Sequence, residues 1–157
     1  MERILIRGGR VIDPSQGLDD HIDILIEDGK IAAYNPTTRG DERVIDARGK
    51  IVSPGLIDMH VHLREPGHED DETIATGTRA AVAGGFTSIA CCPNTDPPID
   101  TPATVEFVRQ KAARDGHCNV YVIACVSKDR KGEELAEIGQ LVAAGAVAFS
   151  DDGAPVY

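Results

Sequence analysis

From Ile51 onward the chain alternates short apolar runs with longer amphipathic segments, and this alternation constrains its fold more than any other feature. The apolar runs predict four strands, at about 52–60, 87–91, 120–124 and 146–149. Helices are predicted between them, at about 71–84, 101–115 and 133–144. Such alternation predicts a parallel sheet, because each helix returns the chain to the start of the next strand. The fold class predicted is therefore α/β.

Four strand–helix units suggest half of a (β/α)₈ barrel, because a complete barrel needs ~250 residues and this chain has 157. We expect residues 53–157 to be the first four units of a truncated barrel. A free-standing open four-stranded domain is the alternative, but it would leave barrel edges unpaired. For the same reason we expect the fragment alone to be inactive and to aggregate or self-associate.

Residues 1–52 have a different pattern, of short strands and turns, and predict a small β-sheet layer before the barrel. The strand-like runs are 3–7, 23–26, 31–34 and 44–45. The first of them is expected to end at Gly8-Gly9. The Asp28-Gly29 pair between two of these runs predicts a tight hairpin.

Composition excludes several classes of function. The net charge of −10 repels phosphate backbones, so we expect no nucleic-acid partner. No apolar run approaches the ~20 residues of a membrane span, and the N-terminus lacks an apolar signal-peptide core. We therefore expect a cytoplasmic protein without membrane contact. The four cysteines lack Cys-x-x-Cys spacing, and we interpret all of them as reduced structural residues.

The first barrel strand ends in His60-Val61-His62. Side chains alternate along a strand, so His60 and His62 are predicted to point the same way. Two imidazoles on one face are two ligands of a metal site, and imidazole suits zinc. Arg64 follows in a polar loop, where its planar guanidinium could bind a carboxylate through two hydrogen bonds.

Three segments carry a resemblance to a known family. The run Pro54-Gly55-Leu56-Ile57-Asp58-Met59-His60-Val61-His62 resembles the first-strand signature of the amidohydrolase superfamily. Its continuation Leu63-Arg64-Glu65-Pro66-Gly67 resembles the dihydroorotases of the long bacterial type. Cys92-Pro93-Asn94-Thr95 and Phe149-Ser150-Asp151-Asp152-Gly153 resemble that family's second-strand substrate loop and fourth-strand metal segment.

The resemblance implies a zinc site with two ions, held in this chain by His60, His62 and Asp152. Many amidohydrolases bridge their ions with a carboxylated lysine after strand four, but the last lysine here is Lys131. Asp151-Asp152 stands in that place, and the resemblance assigns the shared ligand to Asp152, with Asp151 beside it. Further histidines, a catalytic aspartate and strands completing the small sheet are implied beyond Tyr157.

The implied activity is the reversible hydrolysis of dihydroorotate to N-carbamoyl-L-aspartate in pyrimidine synthesis. The resemblance assigns substrate binding to His62, Arg64 and Asn94. A homo-oligomer, with aspartate transcarbamoylase as a further partner, is also implied. Two alternatives stay open. One is a hydantoinase, dihydropyrimidinase or allantoinase, and the other is a non-catalytic dihydroorotase-like subunit that scaffolds the transcarbamoylase.

Overall fold

The computed structural model describes residues 2–156, which form two compact units that divide between Pro54 and Gly55. Each unit contains one β-sheet. Within the described residues, no helix combines the length and the apolar character that crossing a membrane requires.

The first unit is a five-stranded sheet with two kinds of pairing. Its strands are β1 (Arg3–Asp13), β2 (Leu18–Glu27), β3 (Lys30–Tyr34), β4 (Arg43–Asp46) and β5 (Ile51–Val52). β1, β2 and β3 form antiparallel hairpins, and β4 and β5 pair with β1 in parallel. Val11, Ile22 and Ile24 form its buried cluster.

The predicted hairpin is confirmed, and two predicted strand bounds are wrong, because β2 begins at Leu18 instead of about residue 23 and β1 is longer than predicted. Asp28 and Gly29 join β2 to β3 with φ of 49° and 77°, and two positive φ angles in a two-residue loop define a type I′ turn. β1, however, continues through Gly8-Gly9 instead of ending there. The glycines lie in a β-bulge, where the register with β2 shifts between Ile6 and Gly9 and Gly8 adopts a φ of 74°.

The second unit is a four-stranded sheet with helices between its strands. Its elements are β6 (Leu56–Val61), α1 (Ile74–Ala83), β7 (Phe86–Cys91), α2 (Pro102–Asp115), β8 (Asn119–Ala124), α3 (Ile138–Ala144) and β9 (Ala146–Phe149). The strands are all parallel and follow the order β6-β7-β8-β9. Ile74, Ile89, Val105, Val122 and Leu141 form the centre of the core. This architecture is that of the first half of a (β/α)₈ barrel, as predicted.

Three predicted boundaries differ from the structure. The strand expected at 52–60 is split by Ser53-Pro54-Gly55 into β5 and β6. α1 begins at Ile74, because Thr73 caps it in a reciprocal capping box with Thr76. The helix therefore begins three residues later than predicted.

α3 begins at Ile138, five residues later than predicted. The segment before it is extended, because Leu135 forms a β-bridge with Ser127 and the Ala136 amide donates to Val126 O. Backbone pairing with a distant segment is a tertiary effect that helix periodicity cannot reveal.

A buried carboxylate, Glu65, anchors the loop that follows β6. Only 4% of Glu65 is exposed. Its Oε2 accepts a hydrogen bond from the Ile74 amide at 2.9 Å, at the start of α1. Its Oε1 lies 2.7 Å from Lys111 Nζ on α2, and this contact raises the pKa of Lys111. Glu65 thus ties the loop after β6 to two helices.

We predict that Glu65→Leu destabilises the protein by about 1.5–3 kcal/mol, the usual value of a hydrogen bond to a charged group, because the buried Ile74 amide loses its acceptor. Urea unfolding of the intact protein measures this change. Glu106→Leu is the control, since Glu106 pairs with Arg109 at the surface of α2 and surface pairs are worth little. Equal unfolding midpoints for the two variants would contradict the anchoring role of Glu65.

Candidate metal centre

The centre of the site is a contact between the two edge strands of the second sheet. His60 lies near the end of β6, and Asp152 follows β9. His60 Nε2 is 3.2 Å from Asp152 Oδ1. In a flat sheet these strands would lie ~14 Å apart, at ~4.8 Å for each of three spacings. The sheet is therefore curved toward closure, so that side chains from its two edges converge above its C-terminal end.

His62 lies beside His60, and its side chain is oriented by Asn94, in the loop after β7. The two imidazole centroids are 5.2 Å apart, with the rings nearly perpendicular. His62 Nδ1 is 2.9 Å from Asn94 Oδ1 and 3.8 Å from Asp152 Oδ2. A hydrogen bond to the Asn94 oxygen requires the proton on Nδ1, which leaves the lone pair on Nε2. Asn94 thus fixes the tautomer of His62, as partners of metal-binding histidines commonly do.

The Asp152 carboxylate is held in place by its backbone. Asp152 has a φ of 30°, in the left-handed region. Its amide donates to Ser150 Oγ at 3.0 Å, and the Arg130 guanidinium donates to the carbonyl oxygens of Asp151 and Asp152. These contacts leave the Asp152 side chain, of which 13% is exposed, directed at the two histidines.

Asp151, the other acidic residue of this pair, faces the protein interior. It is 3% exposed. Its Oδ1 accepts hydrogen bonds from the amides of Val126 and Ser127, at 2.8 and 3.1 Å, and its Oδ2 accepts one from Ser127 Oγ. Its carboxylate is thus engaged by the loop after β8, and the geometry favours Asp152 over Asp151 as a ligand.

Cys92 is the member of the site that sequence reasoning missed. Cys91 packs in the hydrophobic core as predicted, but the adjacent Cys92 belongs to the donor group of His60, His62 and Asp152. Burial, followed by the Asp152 charge, raises the pKa of the Cys92 thiol to about 11, and Arg64 opposes that shift. Its position in the sequence could have indicated this, because Cys92 directly follows β7 and so lies at the C-terminal edge of the sheet, as the two histidines do.

Arg64 lies beyond the end of β6, so strand alternation does not set the direction of its side chain. β6 ends at Val61, and Arg64 is half-buried in the following turn with a φ of 62°. The charge of its guanidinium lowers the pKa of the Cys92 thiol, against the larger effect of burial. The loop after β6 contacts the loop after β7, because the Asp96 amide donates a hydrogen bond to Pro66 O. The two backbones approach so closely that a Cβ atom at Gly67 would lie 2.1 Å from Asp96 O.

The side chains present fit a divalent transition metal. One donor atom from each of His60, His62, Cys92 and Asp152 lies within 4.8 Å of the other three. Imidazole nitrogen, thiolate sulfur and carboxylate oxygen are the donor types that zinc uses. The remaining histidines, His21, His68 and His117, are exposed and lie outside this group.

Comparison with known proteins places the chain in a family. A family model described as dihydro-orotase-like matches residues 49–157. A dihydroorotase of Citrifermentans bemidjiense is 56% identical over 155 residues, which are 98% of this chain and 37% of that protein. A dihydroorotase of Geobacter sp. strain M21 is 55% identical with nearly the same coverage. The chain thus spans a little over a third of the length of these curated relatives.

Solved structures support the same fold. The chain is similar to an L-hydantoinase (dihydropyrimidinase) from Arthrobacter aurescens, with a TM-score of 0.79 and 28% identity. That match covers 95% of this chain and 32% of the hydantoinase chain. Because the family model matches more than half of this chain, the chain belongs to the dihydro-orotase-like family of amidohydrolases.

Proposed function

We propose that the protein containing this chain is a zinc-dependent dihydroorotase, which interconverts dihydroorotate and N-carbamoyl-L-aspartate in pyrimidine synthesis. The observation that carries the proposal is the convergence of His60, His62 and Asp152 at the C-terminal end of the second sheet. Barrel enzymes place their active sites at this end. Relatives more than 50% identical are named dihydroorotases, which supports dihydroorotate as the substrate.

His60, His62 and Asp152 would hold the metal. Bound there, a zinc ion supplies Lewis-acid polarisation of an amide carbonyl and lowers the pKa of water. The chain's own contribution is orientation. Asn94 fixes the proton of His62 on Nδ1, and Arg130 with Ser150 fixes the backbone of Asp152.

Arg64 would recognise the carboxylate of the substrate. It follows His62 by two residues in the loop after β6, and a planar guanidinium binds a carboxylate through two parallel hydrogen bonds. The buried Glu65 holds this loop against α1 and α2, which restricts where Arg64 can lie. Asn94, in the loop after β7, would add hydrogen bonds to the same substrate. Its oxygen contacts His62, so its NH₂ group is the part left to donate.

A hydantoinase is the second candidate, because the solved structure described above carries that name. The two candidates differ in their substrates, since hydantoin lacks the ring carboxylate that Arg64 would bind. They also differ at strand four, because hydantoinases typically use the carboxylated lysine there, whereas the last lysine of this chain is Lys131. Asp152 and the higher identity to dihydroorotases favour the first candidate.

We predict that His60→Ala and Asp152→Asn each reduce the zinc content of the intact protein, because each removes one donor. Elemental analysis after dialysis measures the metal-to-protein ratio. His68→Ala is the matched control, since His68 is exposed and lies outside the donor group, and it should retain the wild-type ratio. Unchanged zinc in both site variants would refute the metal assignment.

We predict that Arg64→Lys lowers kcat/KM for dihydroorotate about 10- to 150-fold, because lysine keeps the charge and loses a hydrogen-bonded pair worth ~1.5–3 kcal/mol. Arg79→Lys, an exposed change on α1, should leave kcat/KM unchanged. Activity on hydantoin equal to that on dihydroorotate in the wild-type protein would instead favour the hydantoinase assignment.

A further inference from the structure

The donor group contains a thiol that the proposed dihydroorotase site does not require. Cys92 is 2% exposed, and its Sγ is one of four donor atoms that all lie within 4.8 Å of one another. The Cys92 amide donates to Val61 O at 2.8 Å, which fixes the cysteine backbone against the residue between the two histidines. The thiol is thus held beside the imidazoles by strand-to-strand hydrogen bonding.

We propose that Cys92 is an additional metal ligand, which binds through its thiolate and makes the site prefer thiophilic divalent ions. This inference rests on the proposed metal site and extends it by one donor. Coordination breaks the S–H bond, forms a metal–sulfur bond and releases the proton to solvent. Imidazole nitrogen, carboxylate oxygen and thiolate sulfur are all donor types that zinc accepts.

The chemistry of sulfur predicts the direction of selectivity. Thiolate is a soft ligand that favours zinc and similar ions, whereas manganese and magnesium prefer oxygen ligands. With only His60, His62 and Asp152 as donors, the site would bind hard and borderline ions more evenly. Cys92 therefore determines which ions compete effectively for the site.

The neighbouring residue provides a matched control. Cys91 is also 2% exposed, but it packs with Ile89 and Val122 in the core on the opposite face of β7. Cys91→Ser and Cys92→Ser therefore make the same chemical change at adjacent positions. Only the second change removes a candidate ligand.

The test uses cobalt as a spectroscopic substitute for zinc in the intact protein. We expect the cobalt-loaded wild-type protein to show a thiolate-to-cobalt charge-transfer band in the near ultraviolet. The band should disappear in Cys92→Ser and persist in Cys91→Ser. Chelator competition should show Cd²⁺ affinity at least ~10-fold weaker in Cys92→Ser, with Mn²⁺ affinity changed less than about threefold.

The outcomes separate this inference from the proposed function. Bound cobalt without a thiolate band in the wild-type protein would overturn the role of Cys92 and leave the histidine–aspartate site intact. A band that survives in Cys92→Ser would overturn it as well. Failure of the wild-type protein to bind cobalt or zinc would overturn the proposed metal site together with this inference. An absent band in the wild-type protein refutes the role of Cys92 without any variant, and Cys92→Ala takes the place of Cys92→Ser where the serine variant folds poorly.

Discussion

The curvature of the second sheet is the constraint on which the rest of the site depends. His60 lies on one edge strand, β6, and Asp152 follows the other, β9, and curvature of the sheet brings their side chains within 3.2 Å. Parallel strands with a consistent twist close in this way, and their C-terminal ends then surround one space. Residues separated by about ninety positions in the sequence become neighbours without either strand changing its local structure.

Two buried carboxylates hold the loops that this curvature brings together. Glu65 binds the start of α1 and Lys111 of α2, and Asp151 binds the loop after β8. Each of them adjoins a residue assigned to the site, Arg64 or Asp152. A buried carboxylate must find hydrogen-bond donors, because leaving it unpaired is costly. That requirement fixes the orientation of the backbone, and hence of the adjacent site residue.

Cys91 and Cys92 show how two adjacent identical residues acquire different chemistry. Strand geometry directs consecutive side chains to opposite faces. Cys91 therefore lies in the core, where burial raises the pKa of its thiol to about 12. Cys92 instead faces the imidazoles and the Asp152 carboxylate. The chemical environment of each thiol is set by the face it occupies, since both are equally buried.

The sequence by itself determined the features that depend on local pattern. Hydrophobic periodicity located the four parallel strands, Asp28-Gly29 located the hairpin, and the spacing of His60 and His62 indicated a shared face. The tertiary structure decided what depends on distant segments. Pairing of Leu135 with Ser127 delayed the start of α3, and the Asn94 side chain oriented His62. The folded sheet directs Asp152 at the histidines and Asp151 at the interior, and it brings Cys92 to the donor group. Those contacts join residues whose proximity no local pattern encodes.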